Sequence, residues 1–120
     1  MKSATMICVL LLAGVCLANA SQSCKVDNGG GYVIKLTVQY FDMATSKVES
    51  WQSNGVSLGF STSYTFPDTA LGIDCHANIV MAGFPQIYNV HYDSVDDMLA
   101  TCTAYKVWGT IFVPYYGTTC

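Results

Sequence analysis

Hydrophobic and polar residues alternate with a period of two along most of the chain. In "YVIKLTVQYF", Tyr32, Ile34, Leu36, Val38 and Tyr40 share one face, while Lys35, Thr37 and Gln39 share the other. This is the pattern of a half-buried antiparallel strand. Gly29, Gly30 and Gly31 loosen its entry, "DMATSK" supplies a turn, and "VESWQ" gives a short strand ending at Ser53-Asn54-Gly55. In "VSLGFSTSYTF", Leu58, Phe60, Thr62, Tyr64 and Phe66 alternate with small or polar residues until Pro67-Asp68 stops the run. "LGIDCHANIVM" sets Ile73, Cys75, Ala77, Ile79 and Met81 against Asp74, His76 and Asn78, and ends in "AGFP". "QIYNVHYD" places Tyr88, Val90 and Tyr92 together, "DSVDDMLAT" predicts the one helical turn or long loop, and "CTAYKVWG" predicts the last full strand. Six or seven short strands joined by turn signals predict an all-β fold: one small antiparallel β-sandwich with two disulfides.

The first 20 residues stand outside that pattern. Lys2, the apolar run "MICVLLLAGVCLA" and the small-x-small triplet Ala18-Asn19-Ala20 are those of a secretory signal peptide cut before Ser21. The expected domains are therefore a leader at 1–20 and one β-sandwich at 21–120, secreted and extracellular. Four cysteines belong to the domain, Cys24, Cys75, Cys102 and Cys120. An even number in an exported chain predicts two disulfides, and four cysteines allow about three pairings.

Without the leader, four lysines face eight carboxylates and there is no arginine, giving a net charge of −4. That excludes nucleic acid as a partner and gives no basic patch for anionic lipid. Catalytic and metal chemistry are equally unsupported. No G-x-S-x-G elbow accompanies His76 or His91, no C-x2-C or H-x3-H spacing exists, and Asp93, Asp96 and Asp97 lack the alternating spacing of a calcium loop. No enzyme activity, metal or cofactor is expected. What stands out instead is two apolar bends, "AGFPQ" at 82–86 and "GTIFVP" at 109–114. Bends normally carry polar residues because they face water, so these predict a rim that meets a membrane or a partner.

Several motifs share a family resemblance. "NGGGYVIKLTVQYFD" resembles the opening His-Gly-Gly-Ala-Tyr-Val strand of the C-terminal β-sandwich, the membrane-recognition domain, of the cholesterol-dependent (thiol-activated) cytolysins. "SWQSNG" falls where that domain has Ser-Trp-Asp-Gly, "FSTSYTFP" where it has Phe-Thr-Thr-x-Ile-Pro, and "VWGTIFVPYY" where it has Ile-Trp-Gly-Thr-Thr-Leu-Tyr-Pro. The resemblance implies a non-enzymatic, toxin-like or defensive module that contacts lipid, glycan or a surface receptor through loops at one tip. By position, the contacts would be Gly83, Phe84, Pro85 and Ile87 in the first bend and Ile111 and Phe112 in the second. The family's Thr-Leu pair, which recognises cholesterol, is Ile111-Phe112 here, and the first bend has no tryptophan or arginine. Cholesterol recognition therefore does not carry over with the resemblance. The helices that become membrane-spanning hairpins are not in this sequence, so no pore is expected from the domain alone. The alternative is a structural, self-associating extracellular protein that covers the same rim with a second copy.

If both bends lie at one tip, as the resemblance implies, Cys75 and Cys102 sit at similar height. With Cys24 before the first strand and Cys120 after the last, the expected pairing is Cys75–Cys102 and Cys24–Cys120.

Overall fold

The computed structural model describes residues 6–8, 16–18, 22–81 and 86–120. The expected leader falls on residues 1–20, where only a short antiparallel ladder is described, β1 (Met6–Cys8) on β2 (Cys16–Ala18). The domain itself consists of two four-stranded sheets. One has the order β10 (Pro114–Thr118), β9 (Ala104–Gly109), β3 (Gln22–Asn28), β6 (Ser61–Phe66). The other has the order β5 (Lys47–Gln52), β4 (Ile34–Asp42), β7 (Ala70–Ile79), β8 (Gln86–Ser94). All neighbours within these sheets are antiparallel except β3 and β9, which run parallel. The predicted β-sandwich is thus the fold, and "DSVDDMLAT" supplies its helix, α1 (Val95–Leu99).

The alternation in β4 and β7 does what its period demands. Ile34, Leu36, Val38, Ile73, Cys75 and Ala77 are all buried, and with Val26, Phe66 and Val107 from the opposite sheet they form the core. An aromatic cluster closes one side of that core, where Tyr40, Trp51, Tyr64 and Phe66 lie with ring centroids 5.0–5.9 Å apart. A second cluster, Tyr88, Tyr105 and Tyr116, closes the other side.

Two expectations are corrected. The alternation from Leu58 to Phe66 predicts one strand, but the chain turns at Gly59, whose φ of +90° favours glycine, and β6 begins only at Ser61. Leu58 and Phe60 consequently stand 60% and 68% exposed in a loop. The disulfides are Cys24–Cys75 and Cys102–Cys120, not the expected Cys75–Cys102 and Cys24–Cys120. Cys24 does not precede the first strand of the sandwich; it lies inside β3, facing inward like Val26, and meets Cys75 of the opposite sheet across the core. Cys102 lies before β9, and the β9–β10 hairpin returns the chain to the same end, where Cys120 waits.

Cleavage without reduction is expected to release a Cys24–Cys75 and a Cys102–Cys120 peptide pair by mass spectrometry. Replacing both Cys24 and Cys75 by Ala should cost ~4 kcal/mol in urea unfolding, against ~3 kcal/mol for the shorter Cys102–Cys120 loop. Equal or reversed losses would show that the inter-sheet bridge does not dominate.

Candidate membrane-contact tip

Strand direction decides which loops meet. The parallel pair β3 and β9 ends at one pole, where β4 and β8 begin and β7 ends. Gathered there are residues 29–33, 53–60 and 109–114, with Val80 and Met81 at the end of β7 and Gln86 at the start of β8. Their backbones are tied to one another. The Gly31 N–H donates to the Gly109 carbonyl (3.1 Å), Val80 to Val33 (2.9 Å), and Asn28 to Phe60 (2.9 Å). Ile34 and Val56 exchange hydrogen bonds of 3.1 and 2.8 Å.

The centre of this network is Asn28, only 2% exposed on the inward face of β3. Its amide Nδ2 donates to the carbonyls of Tyr32 (2.6 Å) and Val56 (2.8 Å), and its Oδ1 accepts from the Gly30 N–H (2.8 Å). A second tie runs from the Tyr32 hydroxyl, which donates to the Trp108 carbonyl. The 109–114 bend closes on itself. Thr110 and Val113 exchange backbone hydrogen bonds of 3.3 and 3.1 Å, and the Thr110 hydroxyl also accepts from the Val113 N–H. Gly109 has a φ of +90°, and a Cβ there would lie 2.2 Å from the Val113 carbonyl oxygen, so no larger residue fits.

With these backbone groups paired internally, a set of apolar side chains points out. Val33, Leu58, Phe60, Val80, Met81, Phe112 and Val113 are all exposed, Phe112 most of all at 83%. No charged residue occurs in residues 29–33, 53–60, 80–86 or 109–114. The opposite pole is acidic, with Asp68, Asp93, Asp96 and Asp97 in or beside its turns and helix.

The expected contact residues divide accordingly. Gly83, Phe84 and Pro85 lie outside the described residues. Phe112 stands free, but its neighbour Ile111 is half-buried and packs against the core, as does Ile87. Leu58, Phe60, Val80, Met81 and Val113 join the tip without having been singled out in sequence. Leu58 and Phe60 were hidden by an alternation that simulates a strand.

The two histidines offer no catalytic arrangement. His91 lies on β8 with Nδ1 2.8 Å from Asp74 and Nε2 3.1 Å from Asp93, so both ring nitrogens face carboxylates and neither holds a hydroxyl. Its pKa is raised above the ordinary imidazole value, chiefly by the hydrogen bond to Asp74. Burial instead lowers that of His76. Among the described residues no group of three His, Cys, Asp or Glu side chains is placed to hold a metal ion. No described helix is long and apolar enough to cross a membrane.

No protein-family model matches the sequence, and no curated protein matches it. Solved structures do match in fold. The membrane-binding domain of pneumolysin superposes with a TM-score of 0.58 at 14% identity, covering 83% of this chain and 96% of that domain. Suilysin from Streptococcus suis gives 0.58 at 14% identity over 88% of this chain, and listeriolysin O gives 0.56 at 15% over 88%. The chain spans 24–25% of the length of those two toxins. The resemblance read from "NGGGYVIKLTVQYFD" and "VWGTIFVPYY" thus holds at the level of the fold: the chain has a β-sandwich similar to that of the pneumolysin membrane-binding domain.

Asn28→Ala would leave the Tyr32 carbonyl and the Gly30 N–H without these partners, take one of two donors from the Val56 carbonyl, and is expected to cost about 2–4 kcal/mol in urea unfolding. Asn28→Asp should be worse, because it sets a carboxylate against two carbonyl oxygens; an unchanged midpoint for either would remove Asn28 as the organiser of the tip. NMR titration should give His91 a pKa above the ordinary value of about 6.5, falling back in Asp74→Asn. Its stabilisation is then fully present below pH ~6.5 and fades as the pH rises through the higher folded value. A His91 that titrates at the unfolded value would show that the two carboxylates do not hold it.

Proposed function

We propose that this protein is a secreted, non-enzymatic module that attaches to membranes by inserting the apolar tip formed by residues 29–33, 53–60, 80–81 and 109–114. The observation that carries the reading is an end whose loops hold no charged residue, expose seven apolar side chains and are tied to one another by backbone hydrogen bonds. Each side chain fully withdrawn from water contributes about 1.5–3 kcal/mol. Several together reach the strength of a single acyl chain, which holds a protein reversibly at a bilayer. Paired backbone groups matter as much, because an unpaired N–H or carbonyl entering hydrocarbon costs several kcal/mol. The fold it shares with the membrane-binding domain of pneumolysin supports the same reading. Two disulfides suit an oxidising, extracellular setting.

Phe84 and Pro85 extend the tip in this proposal, and Phe112 is its most prominent contact. Cholesterol has no assigned role, since the pair that would recognise it is Ile111-Phe112 and Ile111 is turned toward the core. The proposal covers attachment, not pore formation. A second reading, self-association through the same uncovered side chains, predicts a concentration-dependent sedimentation coefficient; a constant monomer excludes it.

Because the protein is acidic and the tip uncharged, binding should depend on apolar contact and not on lipid charge. Co-sedimentation with phosphatidylcholine vesicles, with and without sterol, should change little between low and high salt. Phe112→Ser should weaken binding roughly tenfold or more without lowering the unfolding midpoint. Absence of binding by the wild type in every vesicle, or equal binding by Phe112→Ser, would defeat the proposal.

A further inference from the structure

Behind the tip, the outer face of the β9–β10 hairpin carries an aromatic floor with a cation at its edge. Trp108, the next-to-last residue of β9, pairs across the ladder with Tyr115 of β10. Their ring centroids lie 5.8 Å apart, with 23° between the ring planes. Glycines flank the indole on both sides. A Cβ on Gly117 would meet its six-membered ring at 3.4 Å, and one on Gly29 would meet its Cδ1 at 3.1 Å. The indole therefore lies across bare backbone at these two positions, and Tyr115 beside it is 56% exposed. The Lys106 ammonium stands at the edge of the floor, 5.6 Å from the centre of the Trp108 ring. Its cross-strand neighbour Asp27 is engaged by Lys25 at 3.9 Å, and no carboxylate lies within ion-pair distance of Lys106 among the described residues.

These groups call for opposite charges side by side. The faces of Trp and Tyr attract cations, and the Lys106 ammonium attracts an anion. A lone cation would be repelled by Lys106, and a lone anion would meet the electron-rich faces of two rings. A zwitterion whose charges lie a few atoms apart satisfies both. The ring faces accept hydrogen bonds poorly, so a primary ammonium pressed onto them would lose its water without gaining a partner. A trimethylammonium group has no N–H to satisfy and presents methyl groups to the rings. Phosphocholine combines that cation with an adjacent phosphate.

Height along the domain points to the same ligand. Tyr115 follows Phe112 by three residues, at most about 10 Å along the strand axis. Once Phe112 enters hydrocarbon, the aromatic floor lies in the polar layer, which is about 5–8 Å thick on each face of a bilayer. We infer that Trp108, Tyr115 and Lys106 form a phosphocholine site, the rings receiving the trimethylammonium group and Lys106 the phosphate of a choline lipid in the surface that the tip enters. The inference rests on membrane attachment by the tip and adds a head-group preference carried by residues outside the tip loops.

The site and the tip are tested separately. Without membrane, phosphocholine is titrated into the isotope-labelled protein and followed by two-dimensional NMR. Saturable shifts of the Trp108 indole N–H and of the Lys106 and Tyr115 amides are expected, with inorganic phosphate or choline alone binding about tenfold more weakly. Lys106→Gln/Tyr115→Ala should weaken phosphocholine binding about tenfold with the unfolding midpoint retained. No shift at these three residues, or equal affinity for inorganic phosphate, would overturn the inference. In vesicles, replacing half of the phosphatidylcholine by phosphatidylethanolamine of the same acyl chains keeps the charge and removes N-methyl groups. The preference for pure phosphatidylcholine should be about twofold or more greater in the wild type than in the double variant. Identical preferences in the two proteins would exclude a choline lipid as the ligand. Phe112→Ser should lose vesicle binding yet keep the phosphocholine titration, so failure of the tip and failure of the site read out differently.

Discussion

A single buried amide organises one end of this molecule. Asn28 occupies a position on β3 where the alternation of Cys24 and Val26 would call for an apolar side chain. Its three hydrogen bonds instead join the 29–33 and 53–60 segments, which lead into different sheets. A buried polar group of this kind is costly unless every partner is present, so the same bonds that satisfy it also define one arrangement of the loops. Around it, backbone bonds from Gly31 to Gly109 and from Val80 to Val33 tie the 109–114 bend and the end of β7 to the 29–33 segment.

That arrangement separates backbone from side chain in a way suited to a nonpolar surface. The loops pair several of their N–H and carbonyl groups with one another, and the large apolar side chains left outside are Val, Leu, Met and Phe. Charge follows the opposite gradient, with aspartates collected toward the far pole and none in the tip loops themselves, which Asp27 and Lys106 border. The Cys24–Cys75 bridge clamps the two sheets through the middle of the core, and Cys102–Cys120 secures the far end of the β9–β10 hairpin. The tip is thus rigidly mounted without a disulfide in its own loops. The shared fold with pneumolysin, suilysin and listeriolysin O persists at 14–15% identity. Such divergence is tolerated when alternation and a few turn positions, Gly109 among them, carry the topology.

Much of the fold was legible because strand period is a local property. The burial of Ile34, Leu36 and Val38, the inward run from Ile73 to Ile79, and the helix at Val95–Leu99 all follow from neighbours in sequence. β3 escaped notice because Gln22–Asn28 carries just two apolar inward residues, its third being Asn28. Leu58 and Phe60 were misread for the converse reason: they keep strand period across a glycine that breaks the strand.

The sequence by itself determined the sandwich class, the even set of cysteines, the acidic charge and the presence of apolar residues at two bends. These depend on composition and on contacts a few residues apart. Tertiary structure alone decided which cysteines pair, since that turns on strand order and on β3 lying opposite β7. It also decided which member of Ile111-Phe112 is free, because packing takes Ile111 against the core and leaves Phe112 outside. The placing of Trp108 and Lys106 against Gly29 likewise comes from the parallel pairing of β3 with β9, a relation between distant strands that no local pattern encodes.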